Sequence, residues 1–318
     1  MEATRSERDR DLWREMRGIQ EDAGQPGERN RVFTGSLRVG LQYDSNVGLF
    51  PDNEAFIEPR DLKSTGEDEA GVIEAHAGFQ PETKGALGFR GDYYLYTDFH
   101  KDLNDYNILD QMVTLEPLFR VGKTRISVPV SYSYVMEDYA RELSGFYVKP
   151  AVTVGLGKSH MARFYGTYSD VSYARDDSDI LQEDQSATSY GGGAAYIFSF
   201  RSNAAFLKLD GGFRANEAKG DNWDYDSRML ALSLRVPVVE NLVFYGSTSL
   251  DLRDFSNVHS TYDKKRDDTR VTAYADLNYE LKKRYDLFAS YTIIHSDSNL
   301  PAYDYDRHVV TVGVGVHF

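Results

Sequence analysis

The sequence contains no cysteine, only 9 prolines in 318 residues, and fewer basic than acidic side chains. The absence of cysteine excludes disulfides, thiolate zinc sites, iron–sulfur clusters and a thiol nucleophile. The net charge of −14 argues against nucleic acid as a partner, because phosphate binding needs clustered Lys and Arg. No apolar run approaches the roughly 20 residues of a membrane-spanning helix. A helical membrane protein is therefore excluded as well.

What the sequence has instead is tyrosine, with 23 copies, and a long alternation of apolar and polar residues that starts at Val32. Leu37, Val39 and Leu41, for example, are each separated by one polar or small residue. A period of two is the signature of strands with one apolar face. We count 14 such segments. They lie near 32–45, 70–81, 85–99, 108–121, 125–136, 146–157, 161–173, 187–200, 204–215, 227–238, 241–254, 269–281, 285–296 and 307–318.

The connections between these segments alternate in length. Those at 122–124 and 240–241 are short, whereas those at 46–69 and 256–268 are longer and rich in Asp and Asn. Outer-membrane barrels combine short periplasmic turns with longer outer loops, and their strand number is usually even. The sequence therefore predicts an all-β fold over residues 31–318: an antiparallel transmembrane β-barrel of about 14 strands in the bacterial outer membrane, with both termini periplasmic.

Residues 1–30 differ from the rest and predict a short charged helix or tail. The apolar residues that fall on one helical face are Leu12, Trp13, Met16 and Ile19. Charged residues follow Met1 where a signal peptide would have an apolar segment. The sequence leaves open a cytoplasmic chain, or one from which a signal peptide and an N-terminal periplasmic domain have been removed.

The alternation assigns one face of each strand to the lumen, because a charge facing lipid costs about 2–4 kcal/mol near the midplane. Opposed basic and acidic rows in an open lumen would sort solutes by a transverse field. The alternative is that these charges only neutralise one another inside the wall. The predicted lumen-lining residues are Arg38, Arg90, Asp92, Glu116, Arg120, Arg163, Lys208, Asp210, Arg214, Arg235, Asp251, Arg253 and Asp276.

No catalytic site, cofactor or metal ion is predicted. The sequence lacks a Gly-x-Ser-x-Gly nucleophile elbow, and His76, His295 and His308 are candidates for a barrel-embedded site by position only. Two acidic stretches, 176–179 and 221–226, offer oxygen ligands that calcium accepts, but neither matches an EF-hand loop. Solvated surface loops are the simpler interpretation.

Three further features predict contacts. The basic run Lys264-Lys265-Arg266 could bind lipopolysaccharide phosphates. In the first long loop, Leu49-Phe50-Pro51 and Phe56-Ile57 predict a segment that folds back into the barrel, meets a partner, or stays loose outside. The triplet Gly191-Gly192-Gly193 is no phosphate loop and predicts a bend or close side-chain packing in the wall.

The last strand resembles the insertion signal of bacterial outer-membrane barrels, with Val312, Val314 and Val316 alternating up to a terminal Phe318. This resemblance implies recognition by the barrel-assembly machinery. Residues 35–47, with Tyr43-Asp44-Ser45-Asn46, resemble the first strand of barrels that follow tetratricopeptide repeats. Surface lipoprotein assembly modifiers and exopolysaccharide export barrels have this layout.

The sequence predicts a non-enzymatic barrel that acts as a conduit, or as the membrane component of an export or secretion system of the surface lipoprotein or exopolysaccharide type. One alternative is a stand-alone diffusion porin for small hydrophilic solutes. Another is a scaffold whose extracellular loops carry a binding or enzymatic role. The expected partners are outer-membrane lipids, lipopolysaccharide, the assembly machinery and a periplasmic helical-repeat domain or export partner.

Overall fold

The computed structural model describes residues 32–53, 66–82, 85–174 and 184–318. The helix predicted within 1–30 lies outside these residues. The strand segments are β1 (Phe33–Asp44), β2 (Asp68–Phe79), β3 (Leu87–His100), β4 (Ile108–Val121), β5 (Thr124–Ser127), β6 (Val130–Glu137), β7 (Ala140–Val148), β8 (Ala151–Gly155), β9 (His160–Tyr173), β10 (Ala187–Phe200), β11 (Ala205–Ala218), β12 (Tyr225–Val239), β13 (Leu242–Val258), β14 (Lys265–Leu281), β15 (Tyr285–Ser298) and β16 (Tyr305–His317). Short 3₁₀ helices lie in three connections, at Asn104–Tyr106, Asp221–Trp223 and Pro301–Tyr303.

These segments form one closed antiparallel sheet. The first strand pairs with β2 on one side and with β16 on the other, so that Ser36 lies opposite His317 and Asp44 lies opposite Val309. Two barrel strands are each divided in two, β5 with β6 and β7 with β8, and the 16 segments therefore make a barrel of 14 strands. The predicted antiparallel 14-strand barrel is confirmed.

Proline divides both interrupted strands. Pro129 stands between β5 and β6, and Pro150 between β7 and β8. Proline has no backbone N–H to donate to the ladder. The neighbouring backbone still pairs across the gap, because Lys149 N donates to Pro129 O at 3.0 Å and Gly166 N donates to Pro150 O at 3.0 Å. The wall is therefore continuous at the two prolines.

The barrel has two unlike ends. At the turn end, near Phe33 and Phe318, the connections are tight. At the loop end, near Asp44 and Asp68, several predicted loops are shorter than the sequence indicated. The loop expected over 256–268 is reduced to 259–264, because β13 continues to Val258 and β14 begins at Lys265, with Arg266 and Asp268 on its inner face.

A second correction concerns the strand predicted over 146–157. Its barrel strand begins at Ala140, and the preceding connection is a two-residue turn at Asp138 and Tyr139, with φ of 46° and 59°. Two consecutive positive φ values are typical of the type I′ turn, whose twist matches that of a hairpin. The start of this strand was missed because the residues around the turn are mostly polar or charged.

The outer face of the barrel is apolar and uncovered. On β1, Leu37, Val39 and Leu41 are 41%, 48% and 72% exposed, and on β16 Val312 and Val314 are 50% and 56% exposed. Soluble proteins rarely leave contiguous apolar surface of this kind in water. This belt is suited to contact with lipid chains.

No helix among the described residues combines the length and the hydropathy that a membrane span requires.

Candidate functional site in the barrel lumen

Alternation along each strand places the polar side chains on the inner face. On β1, for example, Gln42 and Asp44 are buried inside while Leu41 and Tyr43 are exposed outside. The inner face carries, by the same alternation, the side chains of Arg38, Arg90, Asp92, Glu116, Arg120, Arg163, Lys208, Asp210, Arg214, Arg235, Asp251, Arg253 and Asp276.

Neighbouring strands β2 to β5 bring several of these charges into one network. Arg90 binds Asp92 through Nε at 2.7 Å and Glu116 through Nη2 at 3.1 Å. Arg125 reaches the other oxygen of Glu116 at 3.1 Å, and His76 Nε2 lies 2.9 Å from Asp92 Oδ1. Because each acid meets a base, this part of the wall is locally neutralised.

A second charged group lies where β15 and β16 meet β1. Arg38 Nη2 lies 3.1 Å from Asp286 Oδ2, and its guanidinium carbon lies 4.8 Å from the ring centre of Phe288. Asn278 donates to Asp286 at 2.8 Å. Asp286, which the sequence did not identify, is thus the carboxylate that orients Arg38.

On β11 the charges are held by tyrosine as well as by each other. Lys208 Nζ lies 2.7 Å from Asp210 Oδ2, and the Tyr165 hydroxyl donates to Asp210 Oδ1 at 2.7 Å. The ammonium of Lys149 lies 4.7 Å above the Tyr165 ring. Arg235 instead donates through Nη1 to the backbone oxygen of Ala204 at 2.7 Å.

The glycine triplet makes room for Tyr165. An added Cβ at Gly193 would overlap the Tyr165 hydroxyl, so the tyrosine ring lies against β10 and reaches Asp210 on β11. Close side-chain packing is one of the two roles that the sequence predicted for this triplet.

The loop end of the lumen contains basic and acidic residues that sequence reasoning missed. Arg307 forms three hydrogen bonds with Asp44, including Nη2 to Oδ2 at 2.6 Å. Arg266 binds Asp268 with the same geometry, and its guanidinium carbon lies 3.4 Å from the ring centre of Tyr303. The alternation of inner and outer positions along β14 could have identified Arg266 and Asp268, because positions 266, 268 and 270 share the inner face with Asp276.

Arg266 also corrects a prediction about the basic run. Its side chain is 5% exposed and points inward, whereas Lys264 Nζ donates to the backbone oxygen of Asn299 at 2.9 Å. The alternation of β14 separates the members of the run. Arg266 is therefore not part of a surface that could bind lipopolysaccharide phosphates.

The three candidate histidines do not come together. His76 lies on the inner face beside Asp92, whereas His295 and His308 lie on the outer face, bonded to Asp306 at 2.6 Å and to the Tyr291 hydroxyl at 2.9 Å. The described residues contain no group of three or more acidic or histidine side chains arranged for a metal ion. The acidic stretch 176–179 lies outside the described residues.

The first long loop is anchored at the rim over its described part. Asn46 donates to Phe50 O at 2.9 Å and to Asp306 O at 3.0 Å, and the Phe50 ring meets Tyr106 edge-on. Phe56 and Ile57, also predicted to make contacts, lie outside the described residues.

Acidic residues accumulate at this rim. Burial and the nearby Asp52 carboxylate raise the pKa of Asp304 above its usual range, and Asp52 N donates to Asp304 O at 2.9 Å. Because the folded rim favours the protonated form of the Asp304 carboxyl, this carboxyl contributes most to stability in acid. That contribution is lost as the pH rises through the raised pKa of Asp304.

Short hydroxyl side chains line the middle of the lumen. They are partly exposed, and on an inward-facing position that exposure is to the interior of the barrel. Ser131 and Thr114 bond to each other across β6 and β4 at 2.8 Å. The other members of this mid-height group lie on β9 and on β13 to β15: Thr167, Ser169, Ser247, Ser249, Thr272, Ser290 and Thr292.

A family model matches part of the chain. The model of the family described as "Putative beta-barrel porin 2" matches residues 217–318. No curated protein matches the chain.

Among solved structures, the translocator domain of the autotransporter NalP from Neisseria meningitidis is similar, with 13% identity, 99% coverage of both chains and a TM-score of 0.38. The anion-selective porin from Comamonas acidovorans has 9% identity, covers 90% of this chain and 98% of its own, and has a TM-score of 0.47. OccAB3 from Acinetobacter baumannii has 8% identity, 90% and 99% coverage and a TM-score of 0.46.

The closed antiparallel barrel and the exposed apolar belt are those of a transmembrane β-barrel of the bacterial outer membrane, and the family match covers its C-terminal part, residues 217–318.

Proposed function

We propose that the barrel is a passive conduit that carries small hydrophilic solutes across the outer membrane. The observation that supports this role is the mid-height group of partly exposed Ser and Thr side chains. Short hydroxyl side chains occupy little of the interior and hydrogen-bond water, so they favour a hydrated lumen over a packed one.

The charged residues toward the two ends of the barrel from this group would then act on a passing solute. In the β2–β5 network, Asp92 and Glu116 are paired with arginines. Near the loop end, β13 and β14 contribute three arginines, Arg253, Arg266 and Arg270, against two aspartates. Fixed charges of opposite sign along a pore create electrostatic barriers that discriminate between solutes. The conduit is therefore expected to be selective rather than a plain sieve.

Single-channel conductance of the full chain in planar bilayers tests the proposal. We expect a steady conductance that rises with salt concentration. Ser249→Trp should lower it by about twofold or more, because a large ring enters the lumen at mid-height. Thr248→Trp is the matched control, since Thr248 is the neighbouring residue on the outer face of β13 and its replacement should leave conductance unchanged.

Two outcomes would contradict the conduit. If the correctly folded barrel shows no conductance in the bilayer, the conduit is wrong. That result would favour the membrane component of an export system that needs a partner. Equal conductance losses in both tryptophan variants would mean that ions do not pass by Ser249.

A further inference from the structure

Near the loop end, basic side chains from three strands converge inside the barrel. Arg266, Asp268 and Arg270 occupy consecutive inward positions on β14. On β13, Asp251 lies opposite Arg270 and Arg253 lies opposite Asp268. Arg214 of β11 lies close enough to act on Asp251 electrostatically.

Both aspartates of this group already form ion pairs with arginines. Asp251 Oδ2 lies 2.8 Å from Arg253 Nη2, and Asp268 Oδ2 lies 2.6 Å from Arg266 Nη2. On β13 and β14, three arginines therefore face two aspartates. Arg253 and Arg266 repel the charge of Arg270, whereas Asp251 and Asp268 attract it. The group has a surplus of positive charge in a confined space.

Three polar atoms in this region are left without partners. Among the described residues, Arg270 Nε, Arg266 Nη1 and Ser296 Oγ are buried and accept or donate no hydrogen bond. Arg270 is 4% exposed and Ser296 is 0% exposed, and the two lie opposite each other on β14 and β15. A guanidinium only donates hydrogen bonds, so Arg270 Nε lacks a hydrogen-bond acceptor.

A buried N–H of a cation without a hydrogen-bond acceptor is costly, and proteins rarely retain one without a compensating group. The missing group must be negative, must accept hydrogen bonds, and must be small enough to fit beside Ser296. A guanidinium fork matches the paired oxygens of carboxylate and phosphate. Both ligands have this oxyanion chemistry.

We propose that Arg270, together with Arg266 and Ser296, forms a binding site for a small oxyanion inside the loop end of the lumen. The ligand carries a carboxylate or a phosphate group. Arg270 and Ser296 donate hydrogen bonds to its oxygens, and the surplus charge of the arginine group holds it. The site goes beyond the proposed conduit and does not require that the barrel conduct.

Equilibrium dialysis of the full chain, folded in detergent, tests the site with radiolabelled inorganic phosphate and, separately, with radiolabelled acetate. We expect saturable binding of one anion per chain for at least one of the two. Arg270→Gln should weaken binding by about tenfold or more, since it removes a charge-assisted hydrogen bond. Ser296→Ala should weaken it less.

Arg228→Gln is the matched control. Arg228 lies on the outer face of β12, its side chain is 76% exposed, and its replacement removes the same charge from the protein. Binding should be unchanged in this variant. Arg270→Lys keeps the charge but loses the planar fork, and an intermediate affinity is expected.

Unsaturable uptake of both anions, or equal affinity in the Arg270→Gln and Arg228→Gln variants, would overturn the site. If Arg270→Gln does not fold, phosphate-induced thermal stabilisation of the wild-type barrel provides the second measurement, and its absence would also overturn the proposal. Anion binding without conductance would contradict only the proposed conduit. Conductance without anion binding would contradict only the proposed site.

Discussion

The ion pair between Asp44 and Arg307 joins the first strand to the last inside the loop end. The two side chains are 0% and 1% exposed, and three hydrogen bonds connect them. Asp44→Asn should lower the free energy of unfolding by about 3–5 kcal/mol, because it leaves the guanidinium buried without its carboxylate. Urea unfolding of the detergent-folded barrel, followed by aromatic fluorescence, measures the loss.

An exposed pair of the same type provides the control. Arg228 and Asp254 lie 3.4 Å apart with side chains 76% and 51% exposed, and Asp254→Asn should cost no more than about 1 kcal/mol. Equal losses of unfolding free energy in the two variants would show that burial does not set the strength of the Asp44 pair.

The alternation of β1 could predict that Asp44 faces inward. It could not predict a partner 263 residues later, because that depends on closure.

At the scale of elements, β10 depends on glycine to make room for a tyrosine of its neighbour. A Cβ at Gly193 would overlap the Tyr165 hydroxyl and would lie 2.5 Å from Gly211 O. Gly193→Val should displace Tyr165 from Asp210 and destabilise the barrel by about 1–3 kcal/mol. The temperature at which the folded band disappears on a gel should fall accordingly.

Gly71→Val is the control for this change, because nothing lies within 4 Å of a Cβ at Gly71 on the outer face of β2. A similar fall in both variants would contradict the packing role of Gly193. The sequence indicated close packing at the triplet but not which side chain fills the space. Similarly, the sequence placed the charged residues Arg266 and Asp268 in a loop. Their partners on β13 and in the 3₁₀ segments are distant in sequence, so that local pattern could not show that these charges are buried in the barrel.

At the scale of the molecule, the strand number and the lipid-facing side follow from local pattern, and the arrangement of the lumen does not. A period of two and alternating connection lengths are visible along the chain around Leu37 or Val312. In contrast, the contacts of Arg38 with Asp286 and of Arg266 with Tyr303 arise only when the wall curves and closes. The lumen-lining charges could be predicted as a set, but their pairing could not.

Closure itself depends on the turn end of the seam between β1 and β16. Gly35 and Phe318 exchange backbone hydrogen bonds of 2.9 and 3.0 Å, and the Phe318 ring occupies the space that a Gly35 side chain would need. Gly35→Val should therefore force the ring aside and reduce the fraction of chain that reaches the heat-modifiable barrel. Folding into lipid vesicles, followed by gel mobility without boiling, gives that fraction.

Combining Gly35→Val with Phe318→Ala separates two explanations of such a defect. If the clash alone matters, the double variant folds into vesicles as well as Phe318→Ala does. If the double variant folds less efficiently than Phe318→Ala, Gly35 acts at the seam independently of the ring, and the packing explanation is wrong.

Gly91→Val on the outer face of β3, where a Cβ meets only contacts of 3.6 Å or more, should fold normally. The same variants expressed in cells test whether Phe318 also serves as an insertion signal, because that role requires the assembly machinery and the vesicles lack it.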